Sequence, residues 1–397
     1  MAEINTHYEE LKRAYVFPII ERKLEELKKK FSPLPVLNFG IGDVSLPLAP
    51  TIVSAICEAV QEMGRADSFR GYGPSVGYDF LKEKIAQYEY AHLGIEPDEI
   101  FISDGTNSDA ANIQEIFNPK RAIAITDPTY PVYLDTNIMA GRSSKIVLLP
   151  CREETRFAPK PPSEPCDVVY LCSPNNPTGV AMNREELTEW VVWAKEHRAI
   201  LLYDNAYAAF VTSPDVPVSI FEIPGAKEVA IEFRSFSKSA GFTGLRCAYT
   251  ILPKTVLAHK DERAVSLHTL WEKRQSIKSN GVSYPIQRGA EAVFSEKGQR
   301  ETKAQVLTYL AAAKILREGL TSMGYTCYGG ADAPYIWWKT PNNLNSWAFF
   351  DLLLERCQLL SIPGSGFGMN GEGFVRLSAF TTSDKAEEAI RRIRTCL

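Results

Sequence analysis

One lysine stands out by its neighbours. In Ser235-Phe-Ser237-Lys238-Ser-Ala-Gly241-Phe-Thr-Gly244-Leu-Arg246 it lies between small hydroxyl residues, ahead of two glycines and an arginine. A lysine amine condenses with an aldehyde to form a Schiff base. Ser235, Ser237 and Arg246 can donate hydrogen bonds to a phosphate, the arginine as a planar fork. Gly241 and Gly244 let the backbone turn tightly enough to bring both ends of the segment to one ligand. The segment therefore suits an aldehyde that carries a phosphate. Taken alone, it suits a basic, serine-rich surface loop equally well.

Four other clusters bear on that choice. Asp104-Gly105-Thr106-Asn107-Ser108 opens a helical stretch, where free N–H groups favour a phosphate or make a simple N-cap. In Asp127-Pro-Thr-Tyr130-Pro-Val-Tyr133 a tyrosine is held between prolines, a stiff platform for stacking on a flat ring, although packing is the commoner use. Ser173-Pro-Asn175-Asn176-Pro-Thr-Gly179 is a turn whose asparagines can each donate to a ring hydroxyl. Asp204-Asn-Ala-Tyr207 offers a carboxylate for a ring nitrogen and a phenol for the oxygen beside it.

The elements that would position these groups are legible as a rhythm. Apolar, β-rich runs at 100–103, 122–126, 145–149, 168–172, 199–203, 229–233 and 248–252 alternate with helical stretches. Such runs predict an α/β fold whose mainly parallel, seven-stranded sheet is covered by helices. Ligands in open sheets of this kind bind beyond the carboxyl ends of the strands. All five clusters directly follow a run, so they meet at one edge of one sheet.

Around this sheet, Ile20, Leu24 and Leu27 recur at helical spacing, and Pro50–Met63 and Asp79–Leu93 read as helices. Asn183-Arg-Glu-Glu186 is a capping-box opening for another. The charged stretch Lys254–Lys278 reads as one long helix, followed by a helix over Arg300–Met323. A smaller α+β unit closes the chain, with strands at 335–339 and 374–378 and helices at 346–356 and from Asp384. The expected organisation is an arm and part of the small domain over 1–45, a large domain over 46–285 and a small domain over 286–397.

Composition narrows the partners. A chain of 397 residues with 45% hydrophobic and 23% charged residues has ample core for roughly two domains. A formal charge of −4 gives no footprint for nucleic acid. The sequence shows no signal-peptide pattern and no apolar run of membrane-spanning length. Eight scattered cysteines without a C-x-x-C pair, several in apolar runs, predict reduced thiols and a cytoplasmic protein. Five isolated histidines give no metal-ligand spacing.

The order D-G-T-N, D-P-T-Y-P, S-P-N-N-P-T-G, Y-D-N-A-Y, S-F-S-K…G-L-R and a late Val375-Arg376-Leu-Ser resembles the fold-type I aminotransferases, which use pyridoxal 5′-phosphate. The resemblance covers nearly the whole chain. It implies Lys238 as Schiff-base lysine and proton shuttle, Asp204 at the ring nitrogen, Asn176 and Tyr207 at the ring hydroxyl, and Tyr130 stacked. It also implies that Ser235, Ser237, Arg246 and the Thr106–Asn107 amides hold the phosphate, and that Arg376 grips the substrate carboxylate. Tyr72 and Asn280 would be lent across a homodimer interface.

Finer matches are Tyr15-x-Phe-Pro, Gly40-Ile-Gly42-Asp43, Phe69-Arg-Gly-Tyr72-Gly and Lys273-Arg-Gln…Ser279-Asn280-Gly-Val-Ser-Tyr284. Together they resemble one branch of the family, the LL-diaminopimelate aminotransferases. The branch implies tetrahydrodipicolinate and glutamate as substrates, LL-diaminopimelate and 2-oxoglutarate as products, and ping-pong kinetics. It places Tyr15, Gly42, Tyr72, Tyr130, Asn176, Asn280 and Arg376 against the substrate. Two residues depart from that pattern. Asn107 stands where the family carries a lysine beside the phosphate, and Ser75 where some members place a glutamate facing the distal ammonium.

Three readings compete. One is a transaminase for aromatic amino acids, alanine or aspartate, or one of broad specificity. Another is a pyridoxal-dependent lyase. The third is a transaminase-like sensor module, which needs a nucleic-acid-binding segment, and nothing before Leu37 is long or basic enough. Gly366-Phe-Gly368-Met-Asn-Gly371 matches G-x-G-x-x-G but leads into a strand, so it reads as a turn. Cys247 reads as a buried thiol.

Overall fold

The seven apolar runs do pair into one sheet. The computed structural model describes residues 2–11, 16–29, 35–261 and 263–397. Helix α1 (Val16–Lys29), the short strand β1 (Leu37–Asn38), α2 (Pro50–Met63) and α3 (Asp79–Ile85) come first. The alternation then runs β2 (Ile100–Ser103), α4 (Thr106–Asn112), β3 (Ile123–Asp127), α5 (Pro131–Met139), β4 (Ile146–Pro150) and β5 (Val168–Cys172). It continues with α6 (Arg184–His197), β6 (Ile200–Asp204), β7 (Ala230–Ser235), α7 (Phe236–Ser239) and β8 (Ala248–Ile251).

The sheet order is β2-β8-β7-β6-β5-β3-β4, with β8 antiparallel to both its neighbours and every other pair parallel. Every residue of β5 and β6 is buried, which is why these strands read as continuous apolar runs rather than alternating ones. Successive side chains still point to opposite faces. Val169, Leu171 and Leu201 join one core cluster with Trp190 of α6, while Val168, Tyr170 and Leu202 join another with Trp271. After β4 the chain crosses back over β3 to place β5. The strand order therefore reverses at the β3–β5 boundary, the crevice where such sheets hold ligands.

Beyond β8 the chain departs from expectation. Where one helix was read over Lys254–Lys278, strands β9 (Leu257–Lys260) and β10 (Arg263–Ser266) form an antiparallel hairpin before α8 (Leu267–Lys278). Ala258 opposes Val265, and Asp261 takes a positive φ of 56° at the turn, so cross-strand pairing prevails over the helix-forming lysines and glutamates. The helix read over Asp79–Leu93 is α-helical only to Ile85, then widens to a π turn over Ala86–Tyr90 and tightens to 3₁₀ at Ala91–Leu93. The widened turn turns Glu89 and Tyr90 inward to Arg234 and Glu232.

The remaining elements are α9 (Tyr284–Ala292), α10 (Glu296–Ser322), β11 (Cys327–Gly329), β12 (Tyr335–Lys339), α11 (Ser346–Cys357), β13 (Leu359–Leu360), β14 (Ile362–Pro363), β15 (Phe374–Ser378) and α12 (Ser383–Cys396). A four-stranded antiparallel sheet, β11-β12-β15-β14, packs Ile336, Trp338, Val375 and Leu377 against residues of α10, α11 and α12. Its opposite face carries Trp337 and Phe374. The early strand β1 pairs with β13, which delivers Gly40–Asp43 to the edge of the large sheet. The G-x-G-x-x-G stretch forms two 3₁₀ turns leading into β15, as read. Among the described residues no helix is long and apolar enough to cross a membrane.

Candidate active site

Strand β7 ends at Ser235, which caps α7 by accepting a hydrogen bond from the Ser237 N–H at 3.0 Å. That cap turns the chain so that Lys238 enters a cavity of about 340 Å³ at the β3–β5 boundary. The Lys238 Nζ donates to the Gly42 carbonyl at 2.5 Å and lies 5.4 Å from the centre of the Phe380 ring. Burial pushes the amine down to about 8. The nearby Asp43 opposes that shift, and the Arg376 and Arg246 guanidinium groups reinforce it.

Asp204 ends β6 on the floor of the same cavity and is buried. The Tyr133 hydroxyl donates to its Oδ2 at 2.5 Å and the Ala206 N–H to its Oδ1 at 3.1 Å. Burial raises its pKa, and those two hydrogen bonds hold it down. Tyr133 was missed as a site residue. It lies three residues after Tyr130, in the first turn of α5, with the two ring centres 5.7 Å apart, and that spacing was the available signal.

Tyr130 donates to Asn107 Oδ1 at 2.8 Å, with its hydroxyl pushed up to about 12 by burial and by the Asp204 charge. Tyr207 and Tyr335 share a hydrogen bond of 2.9 Å. The Asn176 Oδ1 accepts from Arg376 Nη1 at 2.7 Å, leaving the asparagine N–H₂ as a donor. Arg376 also donates through Nη2 to the Gly40 carbonyl at 2.7 Å. Its guanidinium packs on the rings of Tyr335 (4.7 Å) and Phe367 (4.8 Å), and its Nε has no partner among the described residues. Tyr335, Phe367 and Phe380 escaped the sequence reading because only the tertiary fold brings them here.

Thr106 and Asn107 open α4 behind Gly105, whose φ is 152°. A Cβ at Gly105 would collide with the Arg246 Nη2, so only glycine lets that guanidinium lie against the helix start. Ser235, Ser237 and Thr243 complete this end of the cavity. A Cβ at Gly42 would come within 2.5 Å of the Tyr335 hydroxyl, so that glycine too permits a close approach.

Not every expected residue arrives. Tyr72 is 91% exposed and Asn280 is exposed, and neither lines the cavity of this chain. Tyr15 lies outside the described residues. Ser75 sits in a turn against Gly281, also away from the cavity. A larger cavity of about 580 Å³ backs onto the site through Ala206 and Ser235. Its buried arginine, Arg234, is already paired with Glu89 and Glu232. The smaller cavity, where a lysine, two arginines, two carboxylates and four phenols converge, is the candidate site.

The family model "Aminotransferase class I and II" matches residues 35–393. An LL-diaminopimelate aminotransferase of Methanosphaera stadtmanae is 48% identical over 404 aligned positions, spanning 98% of each protein. The solved L,L-diaminopimelate aminotransferase of Chlamydomonas reinhardtii superposes with a TM-score of 0.93 at 40% identity, covering 99% of this chain and 98% of that one. An aromatic aminotransferase of Pyrococcus horikoshii superposes with a TM-score of 0.80 at 26% identity, covering 94% and 98%. The cofactor of such enzymes is pyridoxal phosphate, and the residues present fit it. The buried Asp204 has no ion-pair partner among the described residues, which suits a protonated ring nitrogen. The Gly105–Arg246 cradle with Ser235 and Ser237 suits a phosphate. This chain belongs to the class I and II aminotransferase family, and pyridoxal phosphate is its cofactor.

Proposed function

We propose that the chain is an LL-diaminopimelate aminotransferase, moving an amino group from glutamate to tetrahydrodipicolinate to give LL-diaminopimelate and 2-oxoglutarate. The observation that carries this reading is the 48% identity to the Methanosphaera protein over nearly the full length of both. We further propose that it works as a cytoplasmic homodimer, a reading supported by eight unpaired cysteines and by Tyr72, an aromatic side chain left exposed on a single chain.

Bound pyridoxal phosphate supplies the aldehyde that takes up the amino group and an electron-poor ring that stabilises negative charge at the substrate α-carbon. Lys238 removes and returns the proton on that carbon, which requires its neutral amine. Asp204, braced by Tyr133, would hold a negative charge for the cofactor's ring nitrogen. Asn176 and Tyr207 would donate to the cofactor's ring hydroxyl, and Tyr130 would help hold the ring. Thr106, Asn107, Ser235, Ser237 and Arg246 would hold its phosphate. Arg376, its plane fixed by two rings, takes the substrate carboxylate as a fork.

The test is to mix holoenzyme with single amino acids, without an oxo acid, and follow the cofactor's absorbance from its aldehyde to its amine form. LL-diaminopimelate and glutamate should convert it. Conversion by tyrosine, alanine or aspartate while LL-diaminopimelate leaves the spectrum unchanged would replace this reading with the broad or aromatic one. Release of pyruvate or ammonia would indicate a lyase.

A further inference from the structure

Asp127 ends β3 as a buried carboxylate that belongs neither to the cavity lining nor to any ion pair among the described residues. Its partners come from the turns just before β15. The Asn370 Nδ2 donates to Asp127 Oδ2 at 2.9 Å and the Asn370 backbone N–H reaches it at 3.4 Å. Two residues on, the Thr129 N–H donates to the Phe367 carbonyl at 2.9 Å. The Asn370 amide is oriented from its other side, because Arg152 Nε donates to its Oδ1 at 3.2 Å. Gly368, at φ 143°, lies so close that a Cβ there would collide with Asp127 Oδ1, which has no hydrogen-bond partner.

These contacts join the large sheet to the small one at the wall of the site. On one side of the joint is Tyr130, three residues after Asp127. On the other is Phe367, whose ring packs on the Arg376 guanidinium. We propose that Asp127 and Asn370 are positioning residues: they clasp the 364–371 turns to the end of β3 and so fix, through Phe367, the plane of the Arg376 guanidinium whose N–H edge meets the substrate carboxylate. The inference rests on the role given above to Arg376, and not on which amino acid is the substrate. Neither residue touches the reacting atoms. Loosening the clasp tilts Phe367, frees one face of Arg376 and weakens carboxylate binding, leaving Lys238 and Asp204 in place.

The test uses holoenzyme carrying Asn370→Asp, which sets two carboxylates against each other, and the exchange Asp127→Asn with Asn370→Asp, which restores one donor facing one carboxylate. With glutamate as donor, or the best donor if glutamate is inactive, Asn370→Asp should raise KM about tenfold or more while kcat falls less than about threefold. The inhibition constant of succinate, a dicarboxylate that cannot react, should rise in parallel. The exchange should bring both constants back to within about threefold of the parent. If Asn370→Asp fails to fold, Asn370→Ala, which only deletes the side-chain bond, carries the same expectation at smaller size. KM and succinate inhibition within twofold of the parent in the folded single variant, or no recovery in the exchange, would overturn the proposal. Loss of LL-diaminopimelate turnover in the parent would contradict the proposed substrate and leave this test intact.

Discussion

Lys238 sits where burial and two guanidinium groups oppose its positive charge, so its amine titrates near 8 rather than at its ordinary 10.5. In the cofactor-free protein an amine-acylating reagent should therefore modify Lys238 with a midpoint near pH 8. A midpoint above 10 would show that burial does not hold the amine down. The sign for stability follows. Between about 8 and 10.5 the unfolded chain binds the extra proton, so this group makes the cofactor-free fold more stable as pH rises through that window. At Arg376 the prediction concerns shape. A lysine there keeps the charge but cannot reach Asn176, Gly40 and a ligand as one planar fork. Arg376→Lys should raise KM for the amino donor roughly tenfold to a hundredfold, read in steady-state assays.

Among the elements, the turn after each strand carries the chemistry, and Gly105 opens one of the tightest. Gly105→Ala forces a side chain into the Arg246 guanidinium at a φ that L residues rarely adopt. It should weaken pyridoxal phosphate affinity about tenfold in equilibrium dialysis and destabilise the fold by about 1–3 kcal/mol in denaturant titration. Unchanged cofactor affinity would remove Arg246 from the cradle. These strand-end clusters were legible because each is local, a buried strand followed by its own turn residues. The hairpin at 257–266 was not, because its charged sequence suits a helix and only cross-strand pairing selects the strand. Tyr335 was read only as part of a strand, and Asp127 only as part of a turn. Their partners, Tyr207 and Asn370, lie more than a hundred residues away in the chain, so no local pattern links them.

At the scale of the whole molecule, the single chain encloses the lysine, the carboxylates and Arg376 but leaves Tyr72 in solvent. On the single chain Tyr72 is exposed, so Tyr72→Ala should leave the chain's own fold unchanged by circular dichroism. If Tyr72 is lent to a neighbouring site, the variant should nonetheless lose activity. Mixing it with inactive Lys238→Ala protein should then recover activity, because each mixed dimer carries one site with both residues intact. No recovery after subunit exchange would argue against a shared site. The most direct test of the whole account is the overall reaction of the parent holoenzyme, run from LL-diaminopimelate and 2-oxoglutarate with glutamate as the measured product. The account predicts a kcat/KM for LL-diaminopimelate at least about tenfold above those for aspartate, alanine and tyrosine. A higher value for any of those three would contradict it.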